Sequence, residues 1–387
     1  MGLFGDTVGD VDAESRDEVT PHASGPAPAA EVDDGAVGTV EAELAGDEVV
    51  TVEGLSPAYA AVRPRPADAA EVAELLADHD RRGKGYSWAS ESTVLRTLTG
   101  IGSWTRRQVL LRRRTGGDLL AWLTVHDRAA GRTLVDCVIR HDLDHDEAVL
   151  LGDRLFKAAE RYASDIATMR DMRWTLLDSG AYETDARQQA ILRAAGYEKA
   201  RTWLHMSRPV RTEEADSLPP PRDGVSVRRV RTHDDGLPVA EDLQAVHRVL
   251  EESFADHFSS YRESFPEFVM RLREDAGHRW DHWWLALVET DEGVLPAGAL
   301  VSSVVGPDAD GRESSYIDYI GVHRRARGRG VAKSLLHTVI GDAATRGRRG
   351  VGLEVDADSP TGADGLYASM GWDTVYRTQS WHRDLSI

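Results

Sequence analysis

The chain has 387 residues, 41% of them hydrophobic, with ten tryptophans and a formal net charge of −19. That length and apolar content predict two domains with substantial cores, and no apolar run approaches the ~20 residues that cross a bilayer. The acidity speaks against a nucleic-acid binder, and a single cysteine, Cys137, excludes a disulfide framework.

One thiol fits a reducing cytoplasm, and residues 1–30 lack the basic start and apolar core of a secretory signal, so a cytoplasmic location is expected. Cys137 falls in an apolar strand-like run, TLVDCVI, and reads as an inert buried thiol. The charge is uneven. Residues 1–50 hold 13 acidic residues and one basic one, Arg16. Residues 1–57 are accordingly read as a disordered acidic tail, either solubilising or an interaction segment.

From residue 58 the pattern turns globular. AAVRPRPADAAEVAELLADHD predicts a short strand, a turn and a helix with Ala70, Val72, Leu75 and Leu76 on one side. RRQVLLRRRTGGDLLAWLTVHD predicts a hairpin turning at Thr115, Gly116 and Gly117, and TLVDCVIR a third strand. EAVLLGDRLFKAAERYASDIA predicts a long helix, MRWTLLD a strand, and DARQQAILRAAG a helix ending at Gly196. YEKARTWLHMSRPV closes the unit near residue 210.

Residues 211–224, RTEEADSLPPPRDG, are polar and proline-rich and read as a linker. The order then restarts over 225–387: VSVRRVRTHDD is a strand and turn, AEDLQAVHRVLEESFADHF a helix, and WWLALVET with LPAGALVSSVV a strand pair. The ends match as well, LRAAGYEKARTWLHMSR against YASMGWDTVYRTQSWHRD. A repeat of about 160 residues means tandem copies of one domain.

The copies differ where chemistry is concentrated. In the second, the strand SSYIDYIGV runs into HRRARGRG and then an apolar-periodic helix (Val331, Leu335, Leu336, Val339, Ile340). Gly328 and Gly330 allow close backbone approach, and a helix N-terminus with Arg325, Arg327 and Arg329 beside it makes a pyrophosphate site. A Walker A loop is excluded because Val331-Ala332 follow the glycine, and a dinucleotide fingerprint because Lys333 replaces its last glycine. The first copy has VIRHDLDHDEAVLLG at this place, an acidic run that would repel a polyanion.

Arg327-Gly328-Arg329-Gly330-Val331-Ala332 fits R-x-x-G-x-G/A, and Leu366-Tyr367-Ala368-Ser369-Met370-Gly371-Trp372 fits L-Y-x-x-x-G-F/W. On these residues the chain resembles the GNAT N-acetyltransferase superfamily, and its doubled layout resembles mycothiol synthase and relatives. The resemblance implies two α/β domains, each a twisted, mostly antiparallel sheet flanked by helices, with one parallel pair splayed where acetyl-CoA enters. It implies that Ile320, Gly321 and Val322 hold the pantetheine and polarise the thioester carbonyl. Arg327, Gly328, Arg329, Gly330, Val331, Ala332 and Lys333 would hold the pyrophosphate, and Tyr367 would protonate the departing thiolate. A phenol, protonated at pH 7, suits that role. Ser359 stands where the family places an asparagine, and Tyr316 where it often places a glutamate.

Asp318, two residues beyond Tyr316 and so on the same strand face, is the candidate base, directly or through water; otherwise it is a strand-edge carboxylate paired to an arginine. Glu354 is the next candidate. His257, His282, Trp280, Trp283 and Trp284 fall near the expected acceptor groove and read as packing residues. The reaction implied is acetyl transfer to a primary amine, that of a small molecule, with no metal, no nucleic acid and no membrane partner. The alternatives are a non-catalytic acyl-CoA binder and a protein acetyltransferase.

Overall fold

The computed structural model describes residues 48–100, 106–128, 131–254, 263–275, 277–291, 293–307, 310–359 and 362–387. In chain order the first half comprises β1 (Tyr59–Val62), α1 (Ala69–Lys84), α2 (Glu91–Thr99), β2 (Arg106–Arg113), β3 (Leu119–Asp127), β4 (Arg132–Ile139), α3 (His145–Met169), β5 (Trp174–Tyr182), α4 (Ala186–Ala194) and β6 (Glu198–Pro209). After a short α5 (Glu214–Ser217) the same series repeats: β7 (Val225–Arg229), α6 (Ala240–Phe254), α7 (Phe265–Glu274), β8 (His278–Thr290), β9 (Gly293–Val305), β10 (Ser314–Val322), α8 (Val331–Thr345), β11 (Gly350–Asp356), α9 (Ala363–Ser369) and β12 (Asp373–Ser386).

Local chemistry accounts for these elements. Asp144 caps α3 by accepting the Asp146 N–H at 2.9 Å, and the helix buries Leu151, Leu155, Phe156, Ala159 and Ala163 on one stripe. Each large side chain buried there contributes about 1.5–3 kcal/mol. The β2–β3 hairpin turns at Gly116 (φ 85°) and Gly117 (φ 72°), a left-handed pair that favours glycine. α7 starts with Ser264 and Glu267 in a capping box and Pro266 in its first turn, a signal that the sequence reading passed over; α2 was missed too.

The described strands make one sheet in the order β1-β2-β3-β4-β5-β12-β6-β11-β10-β9-β8-β7. It is antiparallel except at β4–β5 and β10–β11. The order is a palindrome in which each half gives its last strand to the other. β12 lies against β5, with Thr378 opposite Tyr182, and β6 lies against β11, with His205 opposite Glu354. The two exchanged strands pair with each other at the centre. The two copies are therefore present as expected, but their sheets are continuous.

Alternation along the strands divides the core between two faces. On one face α3 covers Val109, Leu111 and Leu177, and α8 covers Ile317, Val351, Leu353 and Val355. On the other, α1 and α2 cover Leu110, Trp122 and Val138, while α6 and α7 cover Trp283, Leu285 and Val301.

Two expected boundaries shift. Residues 1–47 of the acidic tail lie outside the described residues, yet 48–57 belong to the folded unit: Val49 bridges Val62, the Val50 N–H bonds the Ala61 carbonyl at 2.8 Å, and Val52 is buried. The acidic surroundings had masked the short apolar run VVTV. The segment 211–224 is docked rather than loose, because buried Glu214 accepts from Arg208 and from the Arg211 N–H, and Leu218 packs on the α8 cluster.

Candidate active site

Strands β10 and β11 pair only from Ser315↔Val351 to Ile317↔Leu353, then part. The register of β10 against β9 slips between Ile317 and Tyr319, so Asp318 is the extra residue of a bulge. A bulge bends its strand and re-aims its side chain, which opens the gap here. Beyond it, the His323 N–H bonds the Ala297 carbonyl at 2.9 Å. Strand alternation then turns the main-chain groups of Gly321 toward β9 and those of Ile320 and Val322 away from it, into the gap. Those of Ile320 and Val322 have no partner among the described residues.

Gly321 therefore departs from its expected role. Its amide belongs to the β9 ladder, and a β-carbon there would stand 2.1 Å from Ser253 Oγ on α6. It is a glycine because a helix crosses closely.

The gap leads to the arginine-glycine loop. Gly328 has φ 80° and Gly330, the residue preceding α8, φ 85°. The first-turn amides of Val331, Ala332 and Lys333 have no acceptor among the described residues, as at any helix start. Arg327 and Lys333 are exposed, and Arg329 bonds the Glu289 carbonyl at 3.1 Å. One cation escaped the sequence reading. Arg222, in the segment read as linker, reaches the Gly328 carbonyl at 3.4 Å and lies 2.9 Å from where a Gly330 β-carbon would be.

Tyr367 stands on the α8 face, 7% exposed, in the cluster that contains Val331 and Val355 and borders Ile320 and Val322. Its ring meets Trp372 edge-on at 6.0 Å, and Trp372 is fixed by an Nε1–H bond of 2.9 Å to the Val351 carbonyl. Gly371, at φ 91°, closes α9 in the left-handed conformation as its position predicts. Burial pushes the phenol up to about 12, so it holds its proton throughout the neutral range. Ser359 lies in the turn after β11, its N–H on the Asp356 carbonyl at 3.2 Å.

Asp318 stands on the opposite face. Ser303, directly across from Tyr316, donates to its carboxylate at 3.1 Å, which puts Tyr316 and Asp318 on one side of the sheet. That side continues across the exchanged strands. Glu354 lies 3.4 Å from His205, which contacts Thr378 Oγ1 at 2.8 Å and stacks on Tyr376 at 4.2 Å. Burial, then the nearby Lys84 charge, pull the His205 imidazole down to about 3. The first half contributes side chains to this cluster. Lys84 Nζ bonds Asp80 at 2.9 Å and lies within 5.4–5.8 Å of the ring centres of Tyr86, Trp88 and Tyr376. Tyr182 donates to Asp80 at 2.7 Å.

Of the remaining expectations, Trp283 and Trp284 are buried core residues. His282 is held between Asp281 and Arg348, both at 2.6 Å, and is a packing residue. His257 lies outside the described residues.

The first half has the same gap, filled. β4 and β5 pair from Arg132↔Leu176 to Leu134↔Asp178 and part. The Arg140 N–H bonds the Leu120 carbonyl as His323 bonds Ala297, so Cys137 and Ile139 occupy the places of Ile320 and Val322. Here α4 closes the gap: Gln188 donates to the Cys137 carbonyl at 3.2 Å, and Arg187 to those of Ile139, Arg140 and His141. Aligned on Gly196 and Gly371, the second half has Gly362 and Ala363 instead, and a β-carbon at Gly362 would meet nothing within 4 Å.

Residues 246–372 match the acetyltransferase (GNAT) family. Among solved structures the chain is similar to a GCN5-related N-acetyltransferase from Sphaerobacter thermophilus, at 24% identity over 86% of this chain and 98% of that one (TM-score 0.65). It is similar to a tandem GNAT protein from the clavulanic acid biosynthesis pathway, at 17% identity over 85% and 99% (TM-score 0.58). A third similar structure is Saccharomyces cerevisiae N-myristoyltransferase with bound myristoyl-CoA, at 11% identity over 87% and 81% (TM-score 0.53). No match was found among curated proteins. No helix among the described residues is long and apolar enough to cross a membrane.

Proposed function

We propose that this chain, which carries a GNAT-family domain on a tandem GNAT fold, transfers an acetyl group from acetyl-CoA to the primary amine of a small molecule, at one site in its second half. The observation that carries the reading is the open gap between β10 and β11, which begins at the Asp318 bulge and ends at the arginine-glycine loop.

Arg222, Arg327, Arg329 and the first turn of α8 would bind the pyrophosphate. The pantetheine would lie along the gap as a strand lies on an open edge, taking the main-chain groups of Ile320 and Val322. An N–H aimed at the thioester carbonyl would stabilise the charge that develops on its oxygen. The amine nitrogen attacks the carbonyl carbon and the C–S bond breaks. Tyr367 gives its proton to the sulfur from one face, the amine loses its proton to Asp318 on the other, and solvent returns that proton to the phenolate. A thiolate leaving into apolar surroundings is strongly basic; burial pushes even the Cys137 thiol of this protein up to about 12. It therefore requires the proton that Tyr367 carries.

Glu354, His205 and Lys84, whose side chains are only 7%, 8% and 11% exposed, would line the acceptor side of the gap. Such enclosure favours a compact amine over a lysine on a folded protein. The test is a screen of amine acceptors by thiol release, run on wild type and Tyr367→Phe together. The variant should bind acetyl-CoA normally and turn over ~10²–10⁴-fold more slowly, the usual contribution of a general acid. Full turnover by the variant would make the phenol a packing residue.

A further inference from the structure

Outside the gap and the acceptor groove, three side chains from separate elements converge at the end of the first half's filled gap. His79 comes from the last turns of α1, His141 from the loop after β4, and Asp185 from the residue preceding α4. His141 Nε2 lies 3.4 Å from His79 Nδ1 and 3.7 Å from Asp185 Oδ2, and the three ligand atoms all fall within 4.8 Å of one another. We propose that this trio is a binding site for one divalent transition-metal ion of the zinc class, with a water as fourth ligand and a structural role.

The distances carry the argument. Four ligands at about 2.0–2.1 Å around zinc stand about 3.3 Å apart along each tetrahedral edge. Two edges here are within a few tenths of an ångström of that, and small side-chain rotations close the third. The donor set, two imidazoles and one carboxylate, suits zinc, cobalt or nickel better than magnesium or calcium.

The surroundings are preorganised. Asp185 uses Oδ1 to accept the Gln188 N–H at 2.9 Å, which leaves Oδ2 turned to the histidines. Arg187 pins the loop through the His141 carbonyl at 3.3 Å. Its charge, with those of Arg82 and Lys84, opposes the ion, while Asp80 and Asp78 favour it; one ligating carboxylate leaves the centre at a net +1. The ion would tie α1 to α4 and to the β4 loop. Lys84, Tyr86 and Trp88 follow His79 within nine residues, so their side of the proposed acceptor site would be anchored by it.

The test uses the full chain, stripped with chelator and titrated with CoCl2 and ZnCl2, read by visible absorption and calorimetry. Wild type should take up one tight equivalent, with the intense visible band of tetrahedral cobalt, and zinc should raise its Tm. His141→Gln alters a side chain that still reaches the surface, 17% exposed, and Asp185→Asn keeps a good helix cap. Each should weaken binding at least tenfold while the metal-free proteins melt close to wild type. Absence of saturable uptake by wild type, or wild-type affinity in both variants, would overturn the site. Neither result depends on acyl transfer.

Discussion

Gly330 shows how one position serves two demands. Its φ of 85° and the Arg222 side chain 2.9 Å from its absent β-carbon mean that any other residue strains the loop before a ligand arrives. Gly330→Asp should therefore lose acetyl-CoA binding in calorimetry and also lower stability, by about 1–2 kcal/mol for the left-handed backbone alone. The cleaner probe is Ala332→Asp. An acidic residue in a first helical turn stabilises it by about 0.3–1 kcal/mol, yet there it would face the pyrophosphate. Affinity should fall tenfold or more with no loss of Tm; unchanged affinity would remove the anion site. Asp318→Asn should slow the reaction most at low pH, where the amine starts protonated and a base matters most. An unaltered pH profile would move the base to Glu354. A separate pH effect belongs to folding. Burial lowers His205 to about 3 and His278 to about 4, so each binds a proton more readily when unfolded. Their contribution is present above the ordinary histidine pKa and is lost as pH falls from about 6.5 toward 4, at up to ~1.4 kcal/mol per pH unit for each group. The Tm should decline over that window, and His205→Gln should flatten the decline.

At the level of elements, the difference between the copies that bears on the gap lies in α4 and α9. Arg187 and Gln188 satisfy in the first half the carbonyls that the second half leaves open. One acetyl-CoA per chain is expected by calorimetry, and Arg187→Ala with Gln188→Ala should cost about 2–4 kcal/mol in denaturant unfolding from lost bonds to buried carbonyls. A second equivalent of acetyl-CoA bound by wild type would contradict the filled gap. The contrast was only half visible beforehand. Helical periodicity marked α3 and α8, and the loop and Tyr367 were readable because their chemistry lies in contiguous residues. Adjacent polar residues at 187–188 look like an ordinary solvated face until Gly362 and Ala363 are set beside them. The cluster of Lys84, Tyr182, His205, Glu354 and Tyr376 left no local signal, since the strand exchange and the packing of α1 on it bring it together.

That strand order makes the halves mutually dependent. A chain of residues 211–387 would leave the β11 edge that receives β6 without a partner, and an open edge seeks one. The palindromic order offers a remedy: two such fragments can exchange their β12 strands and form a dimer. Light scattering should find the fragment dimeric or aggregated. A folded monomer with full acetyl-CoA affinity would show that the exchange is dispensable. The same arrangement sets a timetable for synthesis. β5 is made well before β12, the strand it must pair with, and β6 before β11, so the first half emerges complete in elements but short of neighbours. Contacts of such long sequence separation form slowly, and until they form Tyr182 and His205 face water on strands that invite the wrong company. The nascent first half is thus a stage at which these strand edges stand open to wrong pairing.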